Sequence, residues 1–247
     1  MTDFNPCILI PVYRHGKACC DVVDSIVQYN IPLILVDDGN EEETKAYLRQ
    51  IKEKHPEIEL VTLPKNQGKG GAFKAGVIRA KELGYTHLLQ LDADGQHDST
   101  KIPFFVEKAK SSPEKMICGY PEYDETAPGH RKGAHKFANT WCAVVTWSSK
   151  IVDSLCGFRL YPVESTFRFV TKKFFDKRMG FDVDILVQMM QMGVDVEFYG
   201  VKVTYPADGI SNFHAFRDNV RISWVFTRLC IKMFIMSPFM LWRKLFK

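Results

Sequence analysis

The sequence has no CxxC pair, no internal repeat, no low-complexity stretch and no linker-like segment. Its seven cysteines are an odd number and include the adjacent Cys19 and Cys20. Without paired spacing they do not suit a disulfide framework, and they read as buried thiols of a reducing compartment. No basic-then-apolar leader follows Met1, because MTDFNP runs straight into a strand-like segment. A large excess of either charge is also missing. The 33 Lys and Arg against 29 Asp and Glu leave +4, which does not call for a nucleic-acid partner. With 46% apolar and 25% charged residues over 247 positions, the composition excludes a disordered chain and allows an α/β domain with a sizeable core. One further absence is local: beyond Asp218 there is no acidic residue, whereas Arg221, Arg228, Lys232, Arg243, Lys244 and Lys247 are basic. A tail of that kind suits an anionic surface.

Short apolar runs alternate with helical patterns through the first two-thirds. Strands are expected over 7–12, 32–36, 58–63, 87–91 and 116–119, and helices over 17–29, 41–54, 69–83 and 101–110. That alternation predicts a mostly parallel, Rossmann-like α/β sheet with helices on both faces. Further on, helices are expected over 132–147 and 181–192, a strand end at 151–153 and a strand over 194–205. Sheets of this kind bind ligands beyond the carboxyl ends of their strands. Asp37-Asp38-Gly39 and Asp92-Ala93-Asp94 both fall on that rim.

Asp92 and Asp94 carry the strongest chemical signal. Two carboxylates at i and i+2 after a buried strand repel each other unless something neutralises them. A divalent cation, Mg2+ or Mn2+, does so with oxygen ligands and also bridges to a diphosphate. Gln96 and His97 stand where a further ligand would fall. The competing reading is an Asp-rich turn that caps a helix. Asp37 and Asp38 offer acceptors to a nucleobase or a ribose, or else form a solvated turn. The glycine-rich start at Gly68-Lys69-Gly70-Gly71 presents amides, a helix N-terminus and Lys65 and Lys69 to a phosphate, or simply packs a helix close to a strand.

Taken in order, Pro11-Val12-Tyr13, Asp37-Asp38-Gly39, Asn66-Gln67-Gly68-Lys69-Gly70-Gly71-Ala72, Asp92-Ala93-Asp94-Gly95-Gln96-His97, Ser154-Leu155-Cys156-Gly157-Phe158-Arg159 and Gly180-Phe181-Asp182 resemble the family 2 inverting glycosyltransferases of the GT-A fold. The likeness runs from about residue 5 to about residue 215 and is greatest to the dolichol-phosphate and polyprenol-phosphate sugar synthases. The resemblance implies a nucleotide-sugar donor held by Pro11, Tyr13, Asp37, Asp38, Gly68, Lys69, Asp92 and Ala93, and a metal on Asp92, Asp94 and Gln96. It also implies an acceptor side at Gly157-Phe158-Arg159, where Arg159 would hold a phosphate, and a late segment with Ser211 near the active site, whose His214 is either an extra metal ligand or a structural histidine. The basic cluster at His130-Arg131-Lys132 is either a loop whose Arg131 contacts a phosphate or a solvated loop. Asp153 or Asp182 would be the general base if the acceptor is a hydroxyl; a phosphate acceptor would need none.

Residues 1–215 are expected to form the transferase domain and 216–247 a C-terminal amphipathic helical tail. Arg228 and Lys232 interrupt its apolar run and Pro238 is expected to break it, so a membrane-spanning helix is not expected. Its crowded aromatics suit a helix lying in the membrane interface. The expected protein is therefore a metal-dependent transferase of sugar from a UDP- or GDP-sugar to a lipid or lipid-phosphate acceptor, peripheral at the inner face of the cytoplasmic membrane. Two rivals are a sugar-1-phosphate nucleotidyltransferase, against which the Pro11–Lys17 segment argues, and a non-catalytic binding module on the same fold.

Overall fold

The structure is a computed structural model that describes residues 4–123, 129–204 and 215–245. The strands are β1 (Pro6–Val12), β2 (Leu33–Asp37), β3 (Glu59–Thr62), β4 (His87–Gln90), β5 (Met116–Tyr123), β6 (Arg159–Pro162) and β7 (Val196–Val203). The helices are α1 (Gly16–Ile26), α2 (Glu42–Lys54), α3 (Lys69–Glu82), α4 (Ile102–Ser111), α5 (Gly129–Thr146), α6 (Val163–Lys172), α7 (Phe181–Gln191) and α8 (Ala215–Leu245). The strands form one sheet in the order β3-β2-β1-β4-β6-β5-β7. β6 runs antiparallel to both neighbours, and the remaining pairs are parallel. The expected α/β sheet covered on both faces is what the chain forms, because β1, β2 and β4 are apolar on both sides. α1 and α4 cover one face through residues such as Val23, Ile26, Ile102 and Phe105. α3, α6 and α7 cover the other through residues such as Phe73, Val77, Phe169 and Phe181.

Two expectations for the middle of the chain need correction. Residues 151–153 form no strand; the strand is β6, six residues later, followed by α6. β6 is four residues long, begins on a charge and ends on proline, so it gives little periodic signal, and only its antiparallel fit between β4 and β5 fixes it. β5 also runs past Gly119 through Pro121 to Tyr123. β6 pairs with β5 only at Ile117 and Cys118, so Pro121 sits where no β6 partner asks for its missing N–H.

The tail also departs from expectation. α8 continues through Pro238. Proline removes the amide that would bond the Phe234 carbonyl four residues earlier, and the Ser237 hydroxyl donates to that carbonyl instead, at 2.8 Å. By length and composition the segment Val220–Leu245 is long and apolar enough to cross a membrane. Its inner side is nonetheless packed on the domain, where Val225, Phe226, Leu229 and Met233 meet Ala138, Cys142 and Val145 of α5 and Val183 and Val187 of α7. Between Ser223 and Trp242 the helix does not turn its charges to water as a water-facing amphipathic helix does. Arg228 pairs with the fully buried Asp184, Lys232 donates to the Gln188 side chain, and Arg243 donates to the Gln191 and Met190 carbonyls at 3.2 Å each. These three cations turn inward. The outward residues from Ser223 to Trp242 are Ser223, Trp224, Thr227, Ile231, Phe234, Ile235, Pro238, Phe239, Leu241 and Trp242, all uncharged. Phe234 and Ile235 are 71% and 74% exposed.

Candidate active site

The carboxyl ends of β1, β2 and β4 meet at one rim. β1 and β2 are tied together there by Asn40, whose side-chain amide donates to the Val12 carbonyl and to Asp37 Oδ1, each at 2.7 Å. The Asn40 backbone donates to the same Asp37 oxygen at 2.9 Å, and Asn40 Oδ1 accepts the Arg14 amide at 2.7 Å. This holds Arg14 at φ +64° and stacks its guanidinium over the Tyr13 ring, 5.1 Å from the centroid. Asn40 is a part of the rim that the sequence reading passed over. Asp38 does a different job from its neighbour. Its carboxylate accepts the Gln67 amide (2.7 Å), the Gly68 amide (2.9 Å) and the Asn66 side chain (2.8 Å). It thereby fixes the loop that starts α3, with its acceptors engaged inside the protein. Burial nevertheless pushes the Asp38 carboxyl up from its ordinary value, against those amide bonds.

Beyond β4 stands the charged centre. Lys69, the first residue of α3, places Nζ 2.7 Å from Asp92 Oδ1 and 3.0 Å from Asp182 Oδ2. Burial alone would lower the Lys69 pKa, but the two carboxylates raise it well above the ordinary lysine value. Burial works against charge on Asp92 as well, yet Lys69, His97 and Arg159 hold its carboxyl below the usual range. Gln90 reaches Asp182 Oδ1 from the buried end of β4 at 3.4 Å. Gly157 passes directly over the pair: a Cβ there would lie 2.6 Å from both Asp92 Oδ2 and Lys69 Nζ. That close approach gives the Gly-Phe-Arg element a physical reason.

Asp94 differs from Asp92. Among the described residues its carboxylate receives the Gln96 amide at 3.1 Å, and burial together with the charge of Asp92 pushes its carboxyl up. No lysine or arginine pairs with it among the described residues. This uncompensated negative charge, carried on oxygen donors, fits a hard divalent cation. The described residues contain no group of three acidic, histidine or cysteine side chains arranged to cage a metal. Gln96 is held by its backbone, whose carbonyl accepts the Thr204 amide at 3.0 Å. Ala93 is buried between the two aspartates. His97 lies against Phe158, and its Nδ1 is buried without a hydrogen-bond partner among the described residues. A cavity of about 260 Å³ lies alongside, lined by Asp92, Gly95, His97 and α1 residues that include Asp21, Val22 and Ser25.

The acceptor-side candidates sit differently from expectation. Arg159 is fully buried and donates to the carbonyls of Asp182 (2.6 Å) and Ser154 (2.8 Å). It braces the rim through these two backbone carbonyls. Asp153 is buried and accepts the amides of Leu155 (2.9 Å) and Cys156 (2.6 Å), closing the turn before Gly157. Asn139 of α5 holds the same turn through Ser154 and Val152. Arg131 belongs to α5, but its side chain lies outside the described set, and Ser211 and His214 lie outside the described residues altogether.

The comparisons with known proteins point to one family. A dolichyl-phosphate beta-glucosyltransferase of Dictyostelium discoideum is 26% identical over 223 residues, covering 80% of this chain and 65% of that protein. One from Trichomonas vaginalis is 28% identical over 211 residues, covering 75% and 60%. The undecaprenyl-phosphate mannosyltransferase of Micrococcus luteus is 22% identical over 173 residues, covering 65% and 67%. The chain thus spans slightly less than two-thirds of the length of the first two relatives. Among solved structures, glucosyl-3-phosphoglycerate synthase from Mycobacterium tuberculosis, in complex with Mn2+, UDP and glucosyl-3-phosphoglycerate, superposes with a TM-score of 0.70. It shares 14% identity and the match covers 92% of this chain and 80% of that one, which establishes the GT-A fold. The family profile of glycosyl transferase family 2 matches residues 7–178, a span that holds the Asp37, Lys69, Asp92 and Arg159 elements together, and the chain belongs to that family.

Proposed function

We propose that the protein transfers a sugar from a UDP- or GDP-sugar to the phosphate of a lipid acceptor, with inversion, at the inner face of the cytoplasmic membrane. The observation that carries the reading is the Asp92-Ala93-Asp94 pair at the end of β4, with Lys69 on Asp92 and, among the described residues, no lysine or arginine paired with Asp94. The nucleoside would lie against Pro11, Tyr13 and Asp37, with the diphosphate near Gly68, Lys69 and Ala93. Asp92 and Asp94, with Gln96 beside them, would hold a divalent cation, Mg2+ or Mn2+, whose charge offsets that of the leaving diphosphate. A phosphate acceptor brings its own anionic oxygen. That suits a site in which Asp153 already closes a turn and Asp182 already pairs with Lys69. Arg159 positions Asp182 through its backbone carbonyl. The lipid-phosphate names of the relatives and the uncharged outer face of α8 support an acceptor presented by a membrane. On this reading 1–215 is the transferase domain and 216–247 its membrane-seated edge. Seven free cysteines fit the reducing side of that membrane.

The test is thermal unfolding with UDP-glucose and with GDP-mannose, each with and without Mn2+, for the wild type and Asp94→Ala. One donor is expected to raise the midpoint of the wild type only when the metal is present. At about 100 times its Kd a ligand adds about 2.7 kcal/mol. Asp94→Ala should lose the shift and at least about a hundredfold of transfer rate, the equivalent of several kcal/mol of charge stabilisation. A wild type that ignores every donor would sink the proposal.

A further inference from the structure

The loop between α6 and α7 touches both halves of the molecule that the proposed function needs. On the rim side the Lys177 carbonyl accepts the Gly70 amide at 2.9 Å, at the first turn of α3 beside Lys69. Arg178 donates to Asn66 Oδ1 at 3.1 Å, in the loop that Asp38 fixes. On the tail side the Phe174 carbonyl accepts Arg228 of α8 and Gln188 of α7, each at 3.0 Å, and the Arg228 guanidinium lies 4.9 Å from the Phe174 ring centroid. Phe174 itself is 76% exposed. A large aromatic side chain held that far into solvent, against a helix with an uncharged outer face, has the placement of a membrane-seated residue.

Around it the charge is of one sign. Lys172, Lys173 and Lys177 are exposed and form no ion pair with a described residue, and the loop's acidic member, Asp176, is already engaged by Arg221 and by the Arg178 and Gly180 amides. The surplus is felt nearby. Burial first, and then the charge of Lys173, lower the Lys232 pKa to about 8. A group of cations bordering an apolar face is complementary to an anionic headgroup on a bilayer. A phosphate has the charge density for it.

We infer that the end of α6 and the loop that follows it, residues 172–179, are the landing site for the phosphate of a membrane lipid, with Lys172, Lys173 and Lys177 as its cationic contacts and Phe174 seated among the acyl chains. It rests on the membrane reading above and gives the acceptor's phosphate a place of arrival between the outer face of α8 and the Lys69–Asp182 centre.

The experiment is vesicle sedimentation of the full chain against three compositions: phosphatidylcholine alone, the same with phosphatidic acid, and the same with phosphatidylserine at matched surface charge. The wild type is expected to favour the phosphatidic acid vesicles over both others, and over phosphatidylcholine by at least about tenfold, from the attraction of its three exposed cations to an anionic surface. The variant Lys172→Gln/Lys173→Gln/Lys177→Gln should lose that preference while keeping its binding to phosphatidylcholine and its unfolding midpoint, since all three side chains are exposed. Phe174→Ser should weaken binding to every composition. Equal binding to phosphatidylserine and phosphatidic acid, or an unchanged triple variant, overturns the inference. So does loss of the preference on adding inorganic phosphate, which would mark a free-phosphate site. These readouts need no sugar donor. A donor-induced shift without the lipid preference defeats this inference alone, and the preference without a donor-induced shift defeats the transferase reading alone.

Discussion

Gly157 shows how closely the centre is built. Its missing side chain leaves room for Asp92 Oδ2 and Lys69 Nζ, each 2.6 Å from where a Cβ would stand. Gly157→Ala therefore has to part the ion pair. Both obstructing atoms are ends of flexible side chains, so they can move at modest cost, and the unfolding free energy should change by only about 1 kcal/mol. Displacing the pair by a fraction of an ångström should still weaken donor binding at least about tenfold, measured by calorimetric titration. Intact affinity in the variant would show that Lys69 and Asp92 do not hold the donor. At this scale the sequence told part of the story. Asp92 and Asp94 were legible because their i, i+2 spacing at a strand end is a local pattern. The destination of Lys69 was not, because its second partner, Asp182, lies 113 positions away. The commitment of Asp38 to the Asn66 loop and the burial of Arg159 were hidden for the same reason.

The contact of α7 with α8 is held by charge as well as by apolar packing. Asp184 is fully buried and accepts from Arg228, Gln188 Nε2 (2.7 Å) and the Asp176 amide (2.6 Å). Removing the cation leaves a buried carboxylate without its ion-pair partner, so Arg228→Met should cost about 3 kcal/mol in denaturant unfolding; a cost near zero would mean the pair is dispensable. Lys232 gives the same interface a pH dependence. Its folded pKa, about 8, lies below the unfolded value of about 10.4. Between the two values the unfolded chain binds more protons than the folded one, so stability rises with pH across that window. Below pH 8 the folded state bears the cost of keeping the ammonium charged. Wild type should gain on Lys232→Met as pH increases from 7 to 10, followed by denaturant midpoints, whatever the sign of their difference at pH 7. These inward cations were read from sequence as facing an anionic surface. Charge alone does not say which side of a helix it will occupy, and the buried acceptors that draw these cations in are on α7.

Across the whole molecule, the apolar outer face of α8 is tied to the sheet domain, since α8 docks on α5 and α7 from Ile222 to Met233. With Arg228, Lys232 and Arg243 turned inward, attachment through its outer face should be apolar in character, insensitive to salt and present on neutral vesicles. Ile231→Glu/Ile235→Glu should abolish binding to phosphatidylcholine vesicles while shifting the unfolding free energy by no more than about 0.5 kcal/mol per site, because both side chains are exposed. Retained vesicle binding would mean that the helix face serves another purpose.

The sequence by itself determined the α/β sheet, the order of most of its elements, the rim position of Asp37, Asp92 and Asp94, and the family. Each of these follows from patterns a few residues long: alternation of apolar runs, carboxylates at strand ends, glycines at a helix start. Tertiary structure alone decided the rest. It inserted β6 between β4 and β5, carried α8 past Pro238, joined Lys69 to Asp182, buried Arg159 beneath the rim and turned Arg228, Lys232 and Arg243 inward. Each of those outcomes depends on a partner distant in sequence, and the free energy of pairing a buried charge or closing a sheet exists only once the fold has brought that partner into reach.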